Sequence, residues 1–416
     1  MRSSILHYDK SAVFTVAFIF VISTKLFAQY PAAWSLYFNP SPKSNGLGMT
    51  GTSLPSDEPF AFYYNPAQLG YSSQSNYFSM EFYPSNVRYF NMDFYSYRNT
   101  AAAFGYNFKN LLNGFNLSAG FGYIYSEFSS PSYYMVSPIA QTGNFNKFSS
   151  YALGIGINYY IQLSAGINFK QISSASNWSF GPVGSYGSAD FSVVDYGLLL
   201  NVPILNLLAP KYPFSIGKRL PIFPNLNISL GYAGLNYGND VKYSVNSNSQ
   251  PLPRDARLGY TIAAGFGTKF KNEFFKLFGY FFTVDVDDYL IQQTEVPPYF
   301  SYQGGIGDIV IGRNLINLKG DDNVVVHKGH EFDFLETFTY LIGRFSGRND
   351  DNNSSNGFGF QTKGLFKLIK SFSGNKTFNY IVDHVNIEYY SSILYENDPR
   401  ETRFDGFNFT FSNIKF

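Results

Sequence analysis

The sequence predicts an all-β protein, a transmembrane antiparallel β-barrel of about 14 strands. Three observations point there: strict alternation of side-chain character, a composition rich in aromatics and poor in charge, and a chain start shaped like a secretory signal. The alternation is clearest in residues 151–169, where the odd positions Tyr151, Leu153, Ile155, Ile157, Tyr159, Ile161, Leu163, Ala165, Ile167 and Phe169 are all apolar. The even positions are mostly small or polar, among them Ala152, Gly154, Gly156, Asn158, Ser164, Gly166 and Asn168. A period of two belongs to a β-strand with one oily face. The run exceeds the about 9–11 residues of a single membrane strand, so it reads as two strands with a tight turn near Tyr160.

Aromatic residues make up 20% of the chain, with 45 Phe and 35 Tyr but only 2 Trp. Charged residues are 14%, against roughly 25% in a soluble domain. Mean hydropathy is nevertheless only -0.13. Outside the N-terminus no run approaches the ~20 apolar residues of a spanning helix. A barrel reconciles these facts, because lipid-facing residues alternate with lumenal ones and aromatics gather at the two interfaces. The chain has no cysteine, which removes disulfides, zinc thiolates, thiol nucleophiles and a lipidated N-terminal Cys. A net charge of +1 without a basic cluster argues against nucleic acid as a partner.

From the start, residues 1–28 read as a signal peptide, with Arg2 and Lys10 before an apolar core at Ala12–Ile22 and cleavage expected after Ala28. Residues 29–72 are rich in Pro, Gly and Ser, do not alternate, and read as irregular structure. The barrel is expected over 73–416. Strand candidates lie near 75–83, 87–97, 99–108, 115–128, 150–159, 161–172, 189–202, 226–236, 257–270, 274–290, 335–346, 356–368, 379–394 and 406–416. Long polar connections at 173–188, 237–256, 293–334 and 348–356 suit an outer-membrane barrel, which has long loops on one side and short turns on the other. The last residue, Phe416, resembles the terminal aromatic by which the barrel assembly machinery recognises its clients, with a bulge near Ser412 reconciling its phase with Phe407, Phe409 and Phe411.

Residues 46–70 read GLGMTGTSLPSDEPFAFYYNPAQLG. Glycines permit close backbone approach to a barrel wall, Asn65 can hydrogen-bond a backbone, and Pro66 fixes the chain. Here the chain resembles the long-chain fatty-acid transporter (FadL-type) superfamily, with matching residues Gly46, Gly48, Met49, Gly51, Asp57, Glu58, Tyr64, Asn65, Pro66, Ala67 and Leu69. The resemblance implies that residues 29–72 form an N-terminal plug or hatch segment inside the barrel, shaped by Gly46, Gly48, Gly51, Asp57, Asn65, Pro66 and Ala67. Further patches are similar to the PorV/PorQ-like branch associated with type IX secretion: 235–238, 251–254, 257–259, and 357–360 followed by 363–365. The 293–334 insert departs from that branch.

Two polar clusters invite chemistry. In the strand at 274–289, Thr283, Asp285 and Asp287 share the face opposite Phe278, Tyr280, Phe282, Val284 and Val286, with Asp288 out of phase. Paired carboxylates there could hold a cation or exchange protons, but the wet interior or rim of a barrel explains them more simply. His327, His330, Glu331, Asp333 and Glu336 have metal-ligand chemistry. As a strand, His327, Glu331 and Asp333 would share a face, yet a solvated loop and strand base is the favoured reading. Asp350–Asn353 lacks the glycine and distal Glu of an EF-hand loop. No catalytic motif stands out, so no enzyme, metal or cofactor is expected.

Three functions follow. The first expectation is a PorV-like accessory of the type IX machinery in the bacterial outer membrane, with the translocon and secreted cargo as partners beside outer-membrane lipid. The alternative is a FadL-like transporter of hydrophobic small molecules such as fatty acids, with a hydrophobic ligand. A purely structural barrel is the third, since closure alone satisfies every backbone group in a bilayer.

Overall fold

The computed structural model describes residues 31–74, 78–88, 96–112, 114–130, 144–176, 187–208, 221–243, 248–271, 273–296, 298–348 and 350–412. The expected signal peptide and the terminal Phe416 lie outside the described residues.

The ring is built from β1 (Phe78–Arg88), β2 (Ser96–Asn107), β3 (Leu117–Ser130), β4 (Asn144–Tyr159), β5 (Ile161–Ser176), β6 (Gly187–Pro203), β7 (Ile222–Tyr237), β8 (Asp255–Phe270) and β9 (Glu273–Tyr289). A small hairpin follows, β10 (Ile291–Gln293) and β11 (Phe300–Tyr302). The ring then continues with β12 (Val324–Phe334), β13 (Phe338–Gly347), β14 (Asp350–Gln361), β15 (Val385–Leu394) and β16 (Thr402–Ser412). Fourteen strands close the barrel, and β1 pairs with β16. Neighbouring strands pair antiparallel throughout, so no edge is left open.

The alternation settles which face looks where. Along 151–157 the apolar odd positions are exposed on the outside and the even positions are buried inside. Leu153 and Ile155 keep 59% and 58% of their surface, a cost in water that hydrocarbon removes. Tyr160 makes the turn between β4 and β5 with φ 61°, the left-handed region a tight reversal needs. Among the described residues no helix is long and apolar enough to cross a membrane. The closed barrel with its apolar belt fits an outer-membrane protein.

Several element boundaries differ from expectation. The candidate 75–83 overlaps β1, and most of the candidate 87–97 lies outside the described residues. The strand β12 begins inside the 293–334 insert, its outward Val324 and Val326 covered rather than lipid-exposed and its inward face carrying Val325 and then polar His327, Glu331 and Asp333. The candidate 356–368 ends as a strand at Gln361 and continues as the helix Lys363–Lys370, and 379–394 begins inside the helix Lys376–His384. The polar tip at 348–356 is mostly β14, joined to β13 by a short turn.

Replacing Leu153 by Arg, mid-belt, should lower the stability of the barrel in a bilayer by about 2–4 kcal/mol, whereas Arg in place of Tyr159, at the rim, should cost ~0–1 kcal/mol. Denaturant unfolding from vesicles reads the difference; equal costs would mean the outer face is not the lipid face.

Candidate functional site: the internal segment and its latches

Residues 31–74 lie inside the ring. They carry one 3-10 turn at Trp34–Tyr37, the helix Pro42–Gly46, a second 3-10 turn at Pro59–Tyr63 and the helix Gln68–Ser72. Their apolar side chains, among them Leu36, Leu47, Leu54, Phe60, Phe62 and Tyr63, form one core with inward residues of the wall such as Tyr83, Ile124, Phe148, Ile172 and Leu341.

Backbone groups of an irregular segment need partners once water is excluded. The wall supplies them from all round the ring. Ser85 donates to the Pro40 carbonyl at 3.0 Å, Tyr97 to Phe38 at 3.1 Å, Ser118 to Gly70 at 2.8 Å, and Ser355 to Gly46 at 3.2 Å. The strongest anchor is Asp285 on β9. Its Oδ2 accepts from the backbone N–H of Gly51 and of Thr52, each at 2.7 Å, and its Oδ1 accepts from the Ser53 hydroxyl at 3.2 Å. A buried carboxylate gathering three donors makes charge-assisted bonds, about twice as strong as neutral ones.

The two polar clusters expected from sequence meet here. His327 on β12 holds Asp287 through Nε2 at 2.8 Å and the Gly48 carbonyl through Nδ1 at 2.7 Å. Both ring nitrogens face oxygen partners, one on the wall and one on the segment. Arg348, in the turn after β13, reaches Asp287 at 3.4 Å and stacks 3.3 Å above the Tyr289 ring. Arg257 on β8 pairs with Asp255 at 3.1 Å and lies 3.8 Å over the ring of Tyr64. Glu331 pairs with Lys43 of the internal segment at 3.0 Å. The favoured reading of His327, Glu331 and Asp333 as solvated loop is therefore corrected: all three are buried in the lumenal face, since strand alternation turns them inward toward partners. His330 faces outward, bonded to Tyr280 at 2.8 Å, and Glu336 sits in the β12–β13 turn. Among the described residues no group of three His, Asp or Glu side chains converges as metal ligands would.

Of the glycines named from sequence, Gly46 ends its helix against Leu341 and Ser392, and Gly48 takes φ 72° beside the Arg344 backbone. A Cβ on Gly48 would stand 2.9 Å from the Arg344 nitrogen. Gly51 lies on the Asp285 anchor. Asn65 donates to the carbonyls of Thr52 at 2.7 Å and Leu198 at 3.0 Å, and accepts from the Ala67 N–H at 3.0 Å. This Asn-Pro-Ala turn fits only because the wall opposite is bare. A Cβ on Gly197 would come within 2.0 Å of Asn65 Oδ1, and one on Gly166 within 2.3 Å of the Pro66 carbonyl. Of the adjacent acids, Asp57 is exposed while Glu58 is buried, so Glu58 is the acid the segment packs. Sequence reading passed over Lys43, Arg348 and the fully buried pair Lys170–Asp195, which closes at 2.9 Å. Opposite charges at inward positions of adjoining strands are the signal that would have found that pair.

Toward the loop end, where β8 starts and β9 finishes, a cavity of about 250 Å³ remains. Its lining mixes apolar Leu36, Met49, Leu235, Val325 and Phe345 with charged or polar Asp255, Arg257, Asp287, His327 and Arg348. The patches 235–238 and 251–254 converge beside it. Asn236 donates to the Pro253 carbonyl at 2.9 Å, and Arg254 donates to the Gly238 carbonyl at 2.6 Å.

No family model and no curated protein matches the chain. Among solved structures, the chain is similar to the Ralstonia pickettii toluene transporter TbuX, with TM-score 0.41, 10% identity and coverage of 90% of this chain and 98% of that one. A Pseudomonas aeruginosa FadL homologue gives TM-score 0.39 at 9% identity, over 93% of this chain and 100% of that one. The translocator domain of the autotransporter NalP from Neisseria meningitidis gives 0.32 at 10% identity, over 82% and 88%. At such scores the likeness says nothing of what this chain carries.

Burial pushes the Glu58 carboxyl up from 4.5 to about 7, against the pull of Lys43 and of the Ser41 hydroxyl, which donates to it at 2.5 Å. The packed state thus holds its proton more tightly than a released segment would. Packing is favoured most in acid, loses ground as pH rises above 4.5 and levels off above about 7. In denaturant midpoints measured against pH, Glu58→Gln should make that decline shallower; a decline of unchanged size in the variant would assign it to other groups.

Proposed function

We propose that the protein is a gated outer-membrane conduit for small hydrophobic or amphiphilic molecules, with residues 31–74 as its hatch. One observation supports this above the others: the lumen is filled by a segment held through discrete polar latches rather than by the wall's own side chains. Such a filling can be released without breaking the ring of strand pairs. The cavity beside it mixes apolar lining, which suits a hydrocarbon body, with charged groups, which suit a polar end. The FadL-type resemblance of residues 46–70 agrees with this reading.

A second reading, an accessory of type IX secretion, draws on the insert after β9. Ile306, Ile309, Leu315 and Leu318 fold against the outward Val284, Val286, Val324 and Val326, leaving Val310, Ile311 and Ile316 exposed on the far side. An exposed apolar collar suits a protein partner. Stoichiometric recovery of secretion components with the gently purified barrel would favour this role over the conduit.

Asp285→Ala removes three hydrogen bonds to a charged group, each worth about 1.5–3 kcal/mol. In vesicles, the variant should admit a fluorescent fatty acid faster than the wild type while the barrel stays assembled. Unchanged entry, with the segment shown by protease to be loosened, would contradict the hatch.

A further inference from the structure

The helix Lys363–Lys370, between β14 and β15, is turned the wrong way round for water. Leu365, Leu368, Ile369 and Phe372 stand at i, i+3, i+4 and i+7, the spacing of a single helical stripe. In a soluble protein that stripe faces the core. Here it is the exposed face, at 43%, 47%, 51% and 68% of full exposure.

The basic face is the one turned to the protein. Lys367 pairs with Glu336 at 2.6 Å and donates to the Phe274 carbonyl at 3.2 Å. Lys370 pairs with Glu273 at 2.8 Å and also with Asp383 of the next helix, and Lys363 reaches Glu336 at 3.5 Å. Burial pushes the Glu336 carboxyl up, but Lys363 and Lys367 outweigh it and hold the group below its usual range. Gly364 lets the helix close on the β12–β13 turn, where a Cβ would stand 1.8 Å from the Leu335 carbonyl. The orientation is thus fixed by contacts on the polar side, not by burial of the apolar one.

The stripe also runs into the barrel's belt. The Phe372 ring lies 5.9 Å from that of Phe270, and Lys271 sits 3.9 Å over Phe372 while donating to the Ser371 carbonyl at 2.8 Å. Phe270, Phe274, Phe334, Phe338 and Phe360 form an exposed aromatic band at this end of the strands, where interfacial rings gather. We propose that the Lys363–Phe372 segment lies in the membrane interface, its Leu365–Phe372 stripe buried in the acyl region of the barrel's own bilayer and its lysines clamping it to the barrel rim. Helices of this kind sit about 5–10 Å into the headgroup–acyl boundary.

The test uses the full chain refolded into phosphatidylcholine vesicles, with Trp34 and Trp178 replaced by Phe and one tryptophan returned at a time. Phe372→Trp and, independently, Leu368→Trp should lose fluorescence to phosphatidylcholine brominated on its acyl chains and be shielded from aqueous iodide. Leu153→Trp, in mid-belt, is the control for membrane insertion itself, so its failure would indict the barrel's embedding and not the helix. Quenching by iodide with no loss to bromine would place the stripe in water and overturn the proposal. Shielding from both quenchers would mean that protein covers it, and would overturn it as well.

Discussion

Hydrocarbon offers no hydrogen bonds, and the rest of this structure follows from that constraint. Every strand must be paired on both sides, so the sheet closes on itself through β1 and β16. A ring of fourteen strands is too wide for wall side chains to fill alone. The wall presents glycines and polar residues inward where the backbone of residues 31–74 comes close and apolar residues where their side chains pack, and that segment occupies the space left. Glycines on the wall and irregular backbone on the segment are two sides of one fit, as Gly197 against Asn65 illustrates.

The filling is held by polar latches as well as by its apolar core with the wall. Asp285 collects backbone N–H groups that would otherwise be orphaned. Asp287 is shared among His327, Arg348 and, at 4.0 Å, Arg257, and Glu331 takes Lys43. Breaking one member of such a buried set leaves an unpaired charge, which is costly, yet the set as a whole adds little net stability over an apolar filling. That balance suits a part that must stay in place and still come away. The Glu58 carboxyl adds a dependence on pH to the same segment.

Much of the fold could be read from the sequence, and the failures have physical causes. Alternation in 151–169 gave β4, the Tyr160 turn and β5, because both outer faces meet lipid and both inner faces meet the segment. Alternation fails where another part of the chain covers the outer face: Val324, Val325 and Val326 are apolar on both sides, so the start of β12 carries no in–out signal and falls within the 293–334 insert. It also misleads past Gln361, where the period changes from two to that of a helix without a break in apolar character. The Gly-rich stretch and the Asn-Pro-Ala turn announced a tightly packed segment. Neighbouring acids such as Asp57 and Glu58 cannot be told apart by pattern, because which one is buried depends on the Ser41 and Lys43 that the fold brings to it.

The central claim is that residues 31–74 must move for anything to pass. Ser53 and Thr261 face each other across the segment–wall boundary with their hydroxyl oxygens 3.0 Å apart, in a chain without cysteine. Ser53→Cys with Thr261→Cys therefore offers a single reversible lock. Entry of a fluorescent fatty acid into vesicles should stop when the pair is oxidised and return on reduction. Equal entry in both states would show that the segment need not leave the wall, and would contradict the account.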